Sequence, residues 1–221
     1  EKNGANRIEL CMDLSCGGVT PSTGLINAVL SAVKIPVYIL IRCREGDFIY
    51  SELEKSIMIE DIQTCVKLGV HGIVAGALNS NFTIDIDFLK RAKSAAGDLP
   101  FTFHRAFDEA NDPYEAARIL YAAGVDRILT SGQAKTGPEG IAVIEQLLKQ
   151  DECPQLLGGS GITPDNVTPL LNTGIPEIHF GARSWNNGHV HRGLFDPGFN
   201  EVDGEIVQQM RALVDRYSSS T

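Results

Sequence analysis

The stretch Ala123-Gly124-Val125-Asp126-Arg127-Ile128 ends a helical pattern with a glycine and then enters an apolar run at isoleucine. The same arrangement recurs at Asn3-Gly4-Ala5-Asn6-Arg7-Ile8, Leu68-Gly69-Val70-His71-Gly72-Ile73 and Thr173-Gly174-Ile175-Pro176-Glu177-Ile178. Glycine after a helical pattern is the usual left-handed helix C-cap. Each stretch therefore predicts the end of a helix and the beginning of a strand.

Three further strands are entered through proline, at Pro36, Pro100 and Pro154, and the glycine and proline entries alternate along the chain. Short apolar runs bounded by turn residues are typical of strands. The predicted strands cover roughly residues 7–12, 36–42, 72–78, 100–106, 127–131, 154–159 and 177–182. Because helical patterns lie between them, the sequence predicts a parallel sheet.

The repeat favours an α/β fold of the (β/α)8 TIM-barrel type over an open doubly wound sheet. Its spacing is close to that of a barrel of about 250 residues, and the chain has 221. No Gly-x-Gly-x-x-Gly follows the first predicted strand, which weakens the dinucleotide-binding alternative, and no organic cofactor is indicated. We predict a single TIM-barrel domain over residues 1–221 whose first strand and most of whose first helix would precede Glu1.

Composition argues against several classes of partner. The net charge of −9 disfavours nucleic acid, because phosphate neutralisation requires a basic face, and it also disfavours an anionic membrane surface. No apolar run approaches the ~18 residues of a membrane span. The five cysteines are irregularly spaced and do not form a disulfide framework in a chain of this length. Reduced thiols predict a cytoplasmic protein.

Polar residues stand at the carboxyl ends of the predicted strands, where the sites of TIM barrels form. The candidate catalytic residues are Glu9, Arg42, His104 and Arg105. Because burying such groups without partners is unfavourable, Glu9 is expected to pair with Arg42 or Arg105. The cluster indicates either a ligand site, with His104 as acid or base, or a polar plug that satisfies itself at the barrel mouth.

A glycine-rich turn, Gly158-Gly159-Ser160-Gly161-Ile162, precedes a predicted helix start at Thr163-Pro164. Backbone N–H groups at a helix N-terminus favour anions. With eight strands counted, this turn follows strand 7 and Gly181-Ala182-Arg183-Ser184 follows strand 8, and such loops commonly form phosphate sites. The candidate anion-binding residues are Gly159, Ser160, Gly161 and Arg183. A tight turn without a ligand is an equal alternative.

Two cysteines lie at or just past the ends of consecutive predicted strands. Cys11 and Cys43 could be neighbours there, and thiolates suit Cu(I) or zinc. Spacing alone is a weak signal, because no Cys-x-x-Cys is present. Cys65 lies on an apolar helical stripe and is expected to be a core residue. Phe48 and Tyr50, in the loop after Cys43, could form a lid over the barrel mouth or pack rigidly on its rim.

Several phrases of the chain together resemble one family, that of the copper homeostasis protein CutC. They are Asn3–Cys11, Gly17–Ser22, Ile41–Phe48, Thr102–Asp108 and Leu129–Gly132, within a resemblance that extends to about Ser184. The resemblance implies a TIM barrel, a cytoplasmic protein involved in copper handling, Cu(I) binding and a homo-oligomer. It also implies that a strand ending in a cysteine should precede Glu1.

The sequence departs from the usual motif of the family at two positions, where Cys43 replaces a proline and Glu45 a glycine. Cys43 could add a thiolate ligand or merely fill space. Our first hypothesis is a cytoplasmic protein that binds Cu(I) through Cys11, with or without Cys43. The alternatives are an enzyme acting on a small anionic or phosphorylated substrate at the barrel mouth, and a structural scaffold.

Overall fold

The computed structural model of the protein describes residues 1–187 and 198–218. Strands and helices alternate through most of this range, as the sequence predicts. The strands are β1 (Ile8–Leu10), β2 (Val37–Leu40), β3 (Gly72–Ala75), β4 (Phe101–Phe103), β5 (Arg127–Thr130), β6 (Gln155–Gly158), β7 (Glu177–Ile178), β8 (Arg183–Asn186) and β9 (Phe199–Val202). The helices are α1 (Thr23–Ala32), α2 (Glu52–Lys67), α3 (Ile86–Ala96), α4 (Pro113–Ala122), α5 (Ile141–Leu148), α6 (Thr168–Leu171) and α7 (Gly204–Ser218).

Strands β1 to β7 form one parallel sheet in which the spatial order equals the order along the chain. Neighbouring strands are in register at pairs such as Ile39 with Ile73 and Ile128 with Leu156. All seven lie within the predicted ranges, so the parallel sheet is confirmed. Strands β8 and β9 form a separate antiparallel pair in a region where the sequence predicts no strands.

Side chains of β2 alternate between two apolar environments. On β2, Val37 and Ile39 belong to the main core between the sheet and the helices. Tyr38 and Leu40 face the opposite side, where they pack with Val74 and Cys11 in a second cluster. Because successive side chains of a strand point to opposite faces, the second cluster lies on the concave, interior face of a curled sheet.

The two edge strands of the sheet are linked by an ion pair between Arg7, directly before β1, and Glu177 on β7. Arg127 of β5 also donates from Nε to Glu177, at 3.1 Å. Although burial raises the pKa of the Glu177 carboxyl, these two guanidinium groups hold it below its usual value. The sheet therefore curls into a TIM-barrel-like half-barrel. The strand predicted to precede Glu1, which would lie between β1 and β7 and complete the barrel, stays a prediction.

Local signals in the sequence set most of the helix boundaries. Gly4, Gly69, Gly124 and Gly174, which open the four repeated stretches, all have positive φ angles. Ser51 and Glu54 form the reciprocal capping box that begins α2. No helix among the described residues is long and apolar enough to cross a membrane.

The predicted start of one helix was wrong. Thr163-Pro164 was expected to open a helix, but α6 begins only at Thr168 and has four residues. The Thr163 N–H is instead bonded to the side chain of Asn166, at 2.8 Å. The Val167 N–H donates to the Thr163 carbonyl at 3.1 Å, so residues 163–167 form one turn that precedes α6.

Candidate functional site

The carboxyl ends of the strands meet at one rim of the half-barrel, and the candidate polar residues lie there. Arg42 is 7% exposed and follows β2. Its guanidinium donates to the backbone carbonyls of Cys16 at 3.0 Å, Gly18 at 3.1 Å and Gly46 at 2.6 Å. Arg42 therefore holds together the loops that follow β1 and β2, which are far apart in sequence.

The expected pairing of Glu9 with Arg42 or Arg105 was wrong. The carboxylate of Glu9 lies 3.7 Å from Nδ1 of His179, across the two edges of the sheet. Arg105 donates to Asp108 at 2.9 Å and to the Ser131 hydroxyl at 3.0 Å. Each arginine thus donates to oxygens of neighbouring rim loops instead of to Glu9.

Asp108 is a rim residue whose role the sequence did not indicate. Its buried carboxylate accepts from the Thr130 hydroxyl at 2.6 Å, from the Ser131 N–H at 3.0 Å and from the Gln133 N–H at 3.1 Å. With Arg105 it therefore ties the turn after β4 to the loop after β5. The only feature of the sequence that could have indicated this role is the position of Asp108 three residues after Arg105, a spacing that suits an ion pair within one helical turn.

His104 is buried at the carboxyl end of β4 and is 4% exposed. Its Nδ1 accepts from the Ala106 N–H at 3.1 Å, so the neutral ring carries its proton on Nε2. Burial, assisted by the nearby Arg42 charge, lowers the pKa of His104 to about 3. Its Nε2, like Nε of Arg42, is buried and has no hydrogen-bond partner among residues 1–187 and 198–218.

The two candidate metal ligands, Cys11 and Cys43, lie on different faces of the sheet. Cys11 packs in the interior cluster beside Leu40, whereas Cys43 packs against the main core. The expectation that their side chains are neighbours is therefore wrong. Within the described part of the chain no group of three His, Cys, Asp or Glu side chains is arranged to hold a metal ion. Cys65 is 2% exposed in the core, as expected.

Cys16 is a thiol that the sequence reading left out of the site. It ends a 3-10 turn, Leu14–Cys16, in the loop that begins at Cys11. Met12 and Val19 form a backbone bridge that closes this loop. Burial raises the pKa of the Cys11 thiol to about 11, with smaller contributions from Glu9, which raises it, Arg183, which lowers it, and Cys16, which raises it.

The glycine-rich turn after β6 is bonded to Thr130 and to the loop after β5. The Gly159 N–H donates to the Thr130 carbonyl at 2.9 Å, and the Ser160 hydroxyl donates to the Lys135 carbonyl at 3.0 Å. Gly161 packs against the side chain of Thr136. Arg183 is exposed and reaches the Leu14 carbonyl at 3.5 Å. The short helix α6 places no helix N-terminus directly after this turn, so anion binding there stays a prediction.

The curled parallel sheet with its helices and polar rim defines a TIM-barrel-like α/β protein. Its sequence places it more narrowly, because the model of the CutC family matches residues 1–184. The chain is 39% identical, over 99% of its length and 93% of the other protein, to a family protein CutC of Klebsiella pneumoniae strain 342. A family protein CutC of Citrobacter koseri is 36% identical, over 100% and 93%. The chain therefore belongs to the CutC family.

Solved structures agree with this assignment. A structure described as the putative copper homeostasis protein CutC from Streptococcus agalactiae matches with a TM-score of 0.77 and 34% identity, over 81% of this chain and 90% of that one. KGPDC from Streptococcus mutans matches with a TM-score of 0.60 at 13% identity, over 98% and 88%. The second likeness concerns the fold alone.

Proposed function

We propose that this protein is a cytoplasmic copper homeostasis protein that binds Cu(I) through the thiolate of Cys11 and assembles as a homo-oligomer. Membership of the CutC family, and the description of the S. agalactiae relative as a putative copper homeostasis protein, support the copper assignment. Neither one names a ligand. The positions of the thiols in this chain support the choice of ligand.

The observation that carries the proposal is the position of Cys11 on the interior face at the rim, directly before the loop that the Met12–Val19 bridge closes around Cys16. The two thiols are soft donors of the kind that selects Cu(I). Cys43, on the other face of the sheet, cannot join them without a rearrangement. We therefore assign Cys16, rather than Cys43, as the second ligand supplied by this chain.

Binding of Cu(I) at this site is coupled to the loss of a proton from Cys11. With its pKa raised to about 11, the Cys11 thiol is protonated at neutral pH. Cu(I) would displace that proton, because the thiolate is the ligand. Gly18, whose φ angle is positive, packs directly against Cys11 and Leu40, so its lack of a side chain lets the loop approach the thiol closely.

The test is an anaerobic Cu(I) titration against a chromogenic chelator. Cys11→Ser is expected to abolish tight binding, and Cys16→Ser to weaken it at least tenfold. Cys43→Ser and Cys153→Ser serve as matched controls, because both thiols are partly buried outside the interior cluster. If Cys11→Ser retains stoichiometric tight binding, the assignment of Cys11 is wrong. If Cys43→Ser weakens binding and Cys16→Ser does not, the second ligand is wrong.

A second candidate function is an enzyme or binding protein for a small oxyanion or carboxylate at the rim. The specific observation is the buried Nε2 of neutral His104, which has no acceptor among the described residues, beside the equally unpartnered Nε of Arg42. Leaving such a donor unsatisfied costs about 1–3 kcal/mol. An oxygen of a phosphoryl or carboxylate group is the kind of acceptor that the Nε2–H of His104 lacks.

Ring-nitrogen NMR with inorganic phosphate or acetate as probe tests this second candidate. The Nε2–H resonance of His104 is expected to shift with saturation. His71 is the internal control, because its Nδ1 accepts from the Val37 N–H at 3.2 Å at the opposite end of the strands. Shifts of equal size at both rings, or at neither, would refute the site.

A further inference from the structure

A pocket of about 300 Å³ opens at the rim between the loops that follow β2 and β3. Four apolar side chains and two carboxylates supply most of its lining: Phe48, Ile49, Leu78, Phe82, Asp47 and Glu109. The volume lies at the lower end of the range for small-molecule sites, which is about 300–1,000 Å³. It is separate from the thiols of Cys11 and Cys16.

The walls of the pocket are held by backbone hydrogen bonds between different loops. The Leu78 N–H donates to the Phe48 carbonyl at 2.9 Å, which joins the loops after β2 and β3. The Asn111 N–H donates to the Phe82 carbonyl at 3.1 Å, which joins the loop after β3 to the segment before α4. The pocket therefore exists before any ligand binds.

Phe82 is held in the pocket wall by a strained backbone. Its φ angle is +58°, a left-handed conformation that costs an L-residue with a bulky side chain about 1–2 kcal/mol. The ring is 42% exposed, so it is not held there by burial in the core. Such outliers cluster at ligand clamps. Asparagine or glycine would adopt this conformation at lower cost.

Phe48 forms the wall next to the barrel mouth. Its ring centroid lies 4.9 Å from that of His104 and 5.1 Å from the guanidinium carbon of Arg42. These contacts fix the ring without a ligand. Of the two alternatives left open by the sequence, the packed rim describes Phe48 better than a mobile lid.

The charge of the pocket selects its ligand. Asp47 is paired with Arg44 at 3.0 Å. Glu109 is exposed and has no ion pair within the described residues, and the residues that line the pocket include no lysine, arginine or histidine. We propose that this pocket binds a small organic cation, an amine or quaternary ammonium with an apolar body. The rings of Phe48 and Phe82 contact the apolar body and the ammonium, and Glu109 supplies the opposite charge.

The experiment compares benzyltrimethylammonium and benzylamine with benzyl alcohol and benzoate, which share the ring but differ in charge. Binding is followed by calorimetry and by amide shifts of residues 46–49, 78–82 and 109. Both cations are expected to bind at least about tenfold more tightly than benzoate. Glu109→Gln is expected to weaken the cations about two- to fivefold, the range of an exposed ion pair. Glu145→Gln, an exposed carboxylate on α5, should change nothing.

Phe82→Asn separates a binding role from a structural one. The variant relieves the left-handed strain, so the melting temperature is expected to rise, while affinity for benzylamine falls at least about tenfold through loss of the ring contact. The proposal is overturned if benzoate binds as tightly as benzylamine, if Phe82→Asn binds benzylamine like the unchanged protein, or if the amide shifts map to another surface.

Discussion

Replacing Asp108 with alanine tests how the rim is held together. The carboxylate is 5% exposed and accepts from Arg105, from the Thr130 hydroxyl and from the N–H groups of Ser131 and Gln133. Alanine would leave these donors without their acceptor. Each buried donor left unsatisfied costs about 1–3 kcal/mol, whereas Arg105, whose side chain is 41% exposed, can be hydrated instead. We therefore expect Asp108→Ala to lose about 3–5 kcal/mol of unfolding free energy from the orphaned Thr130, Ser131 and Gln133 donors.

Urea unfolding followed by circular dichroism measures this loss as a lower midpoint at unchanged slope. For a domain of this size, each kcal/mol lowers the melting temperature by about 2–4 °C, so a fall of roughly 6–20 °C is expected. Asp108→Asn should lose less, because the amide oxygen still accepts from Ser131 and Gln133. The control Asp98→Ala removes an exposed carboxylate and should stay within about 0.5 kcal/mol. A loss below about 1 kcal/mol for Asp108→Ala would refute the reasoning, as would equal losses for the alanine and asparagine variants.

Measurements on Cys11, His104 and Ser51 test three further features of the structure. The affinity of Cys11 for Cu(I) should rise about tenfold per pH unit between pH 6 and 9 for each thiol that loses its proton on binding, because the pKa near 11 keeps that thiol protonated in this range. Chelator competition at several pH values measures this dependence. An affinity that does not change with pH would contradict the prediction. His104, whose pKa falls from 6.5 to about 3 on folding, should destabilise the protein by up to about 1.4 kcal/mol per pH unit as pH falls below 6.5. Its ring resonances should not titrate between pH 5 and 8, and a titration there would show that the ring is not buried in the neutral form. Ser51→Ala should cost about 1 kcal/mol in urea unfolding, because the hydroxyl accepts from the Glu54 N–H at 3.3 Å; no change in the midpoint would show that the capping box contributes nothing.

Local signals predicted much of the fold. Glycines such as Gly69 and Gly124 mark helix ends because their φ angles are positive, which few other residues tolerate. Ser51 and Asp112 mark helix starts because their side chains accept from N–H groups two or three residues away. The turn at Thr163 misled the prediction, because residues 163–167 form a single turn and the helix begins only at Thr168.

The candidate site was predicted only in its outline. Strand ends placed Arg42, His104 and Cys11 at one rim, since parallel strands end at the same edge. Their partners could not be read in the same way. The acceptors of Arg42 are three backbone carbonyls, and backbone groups carry no sequence signal of their availability. The sequence predicted Cys43 beside Cys11, and this was wrong because Cys43 lies beyond the end of β2. The alternation of side chains along the strand therefore no longer determines which face Cys43 occupies.

The sequence by itself determined the order of elements, the parallel sheet and membership of the CutC family, because each depends on short patterns along the chain. Tertiary structure alone decided which groups meet. It put Glu9 with His179, separated Cys43 from Cys11, made Asp108 the acceptor for the loop after β5 and formed the pocket beside Phe82. The physical reason is that these contacts join loops whose paths depend on the curl of the whole sheet, and no local pattern records that curl.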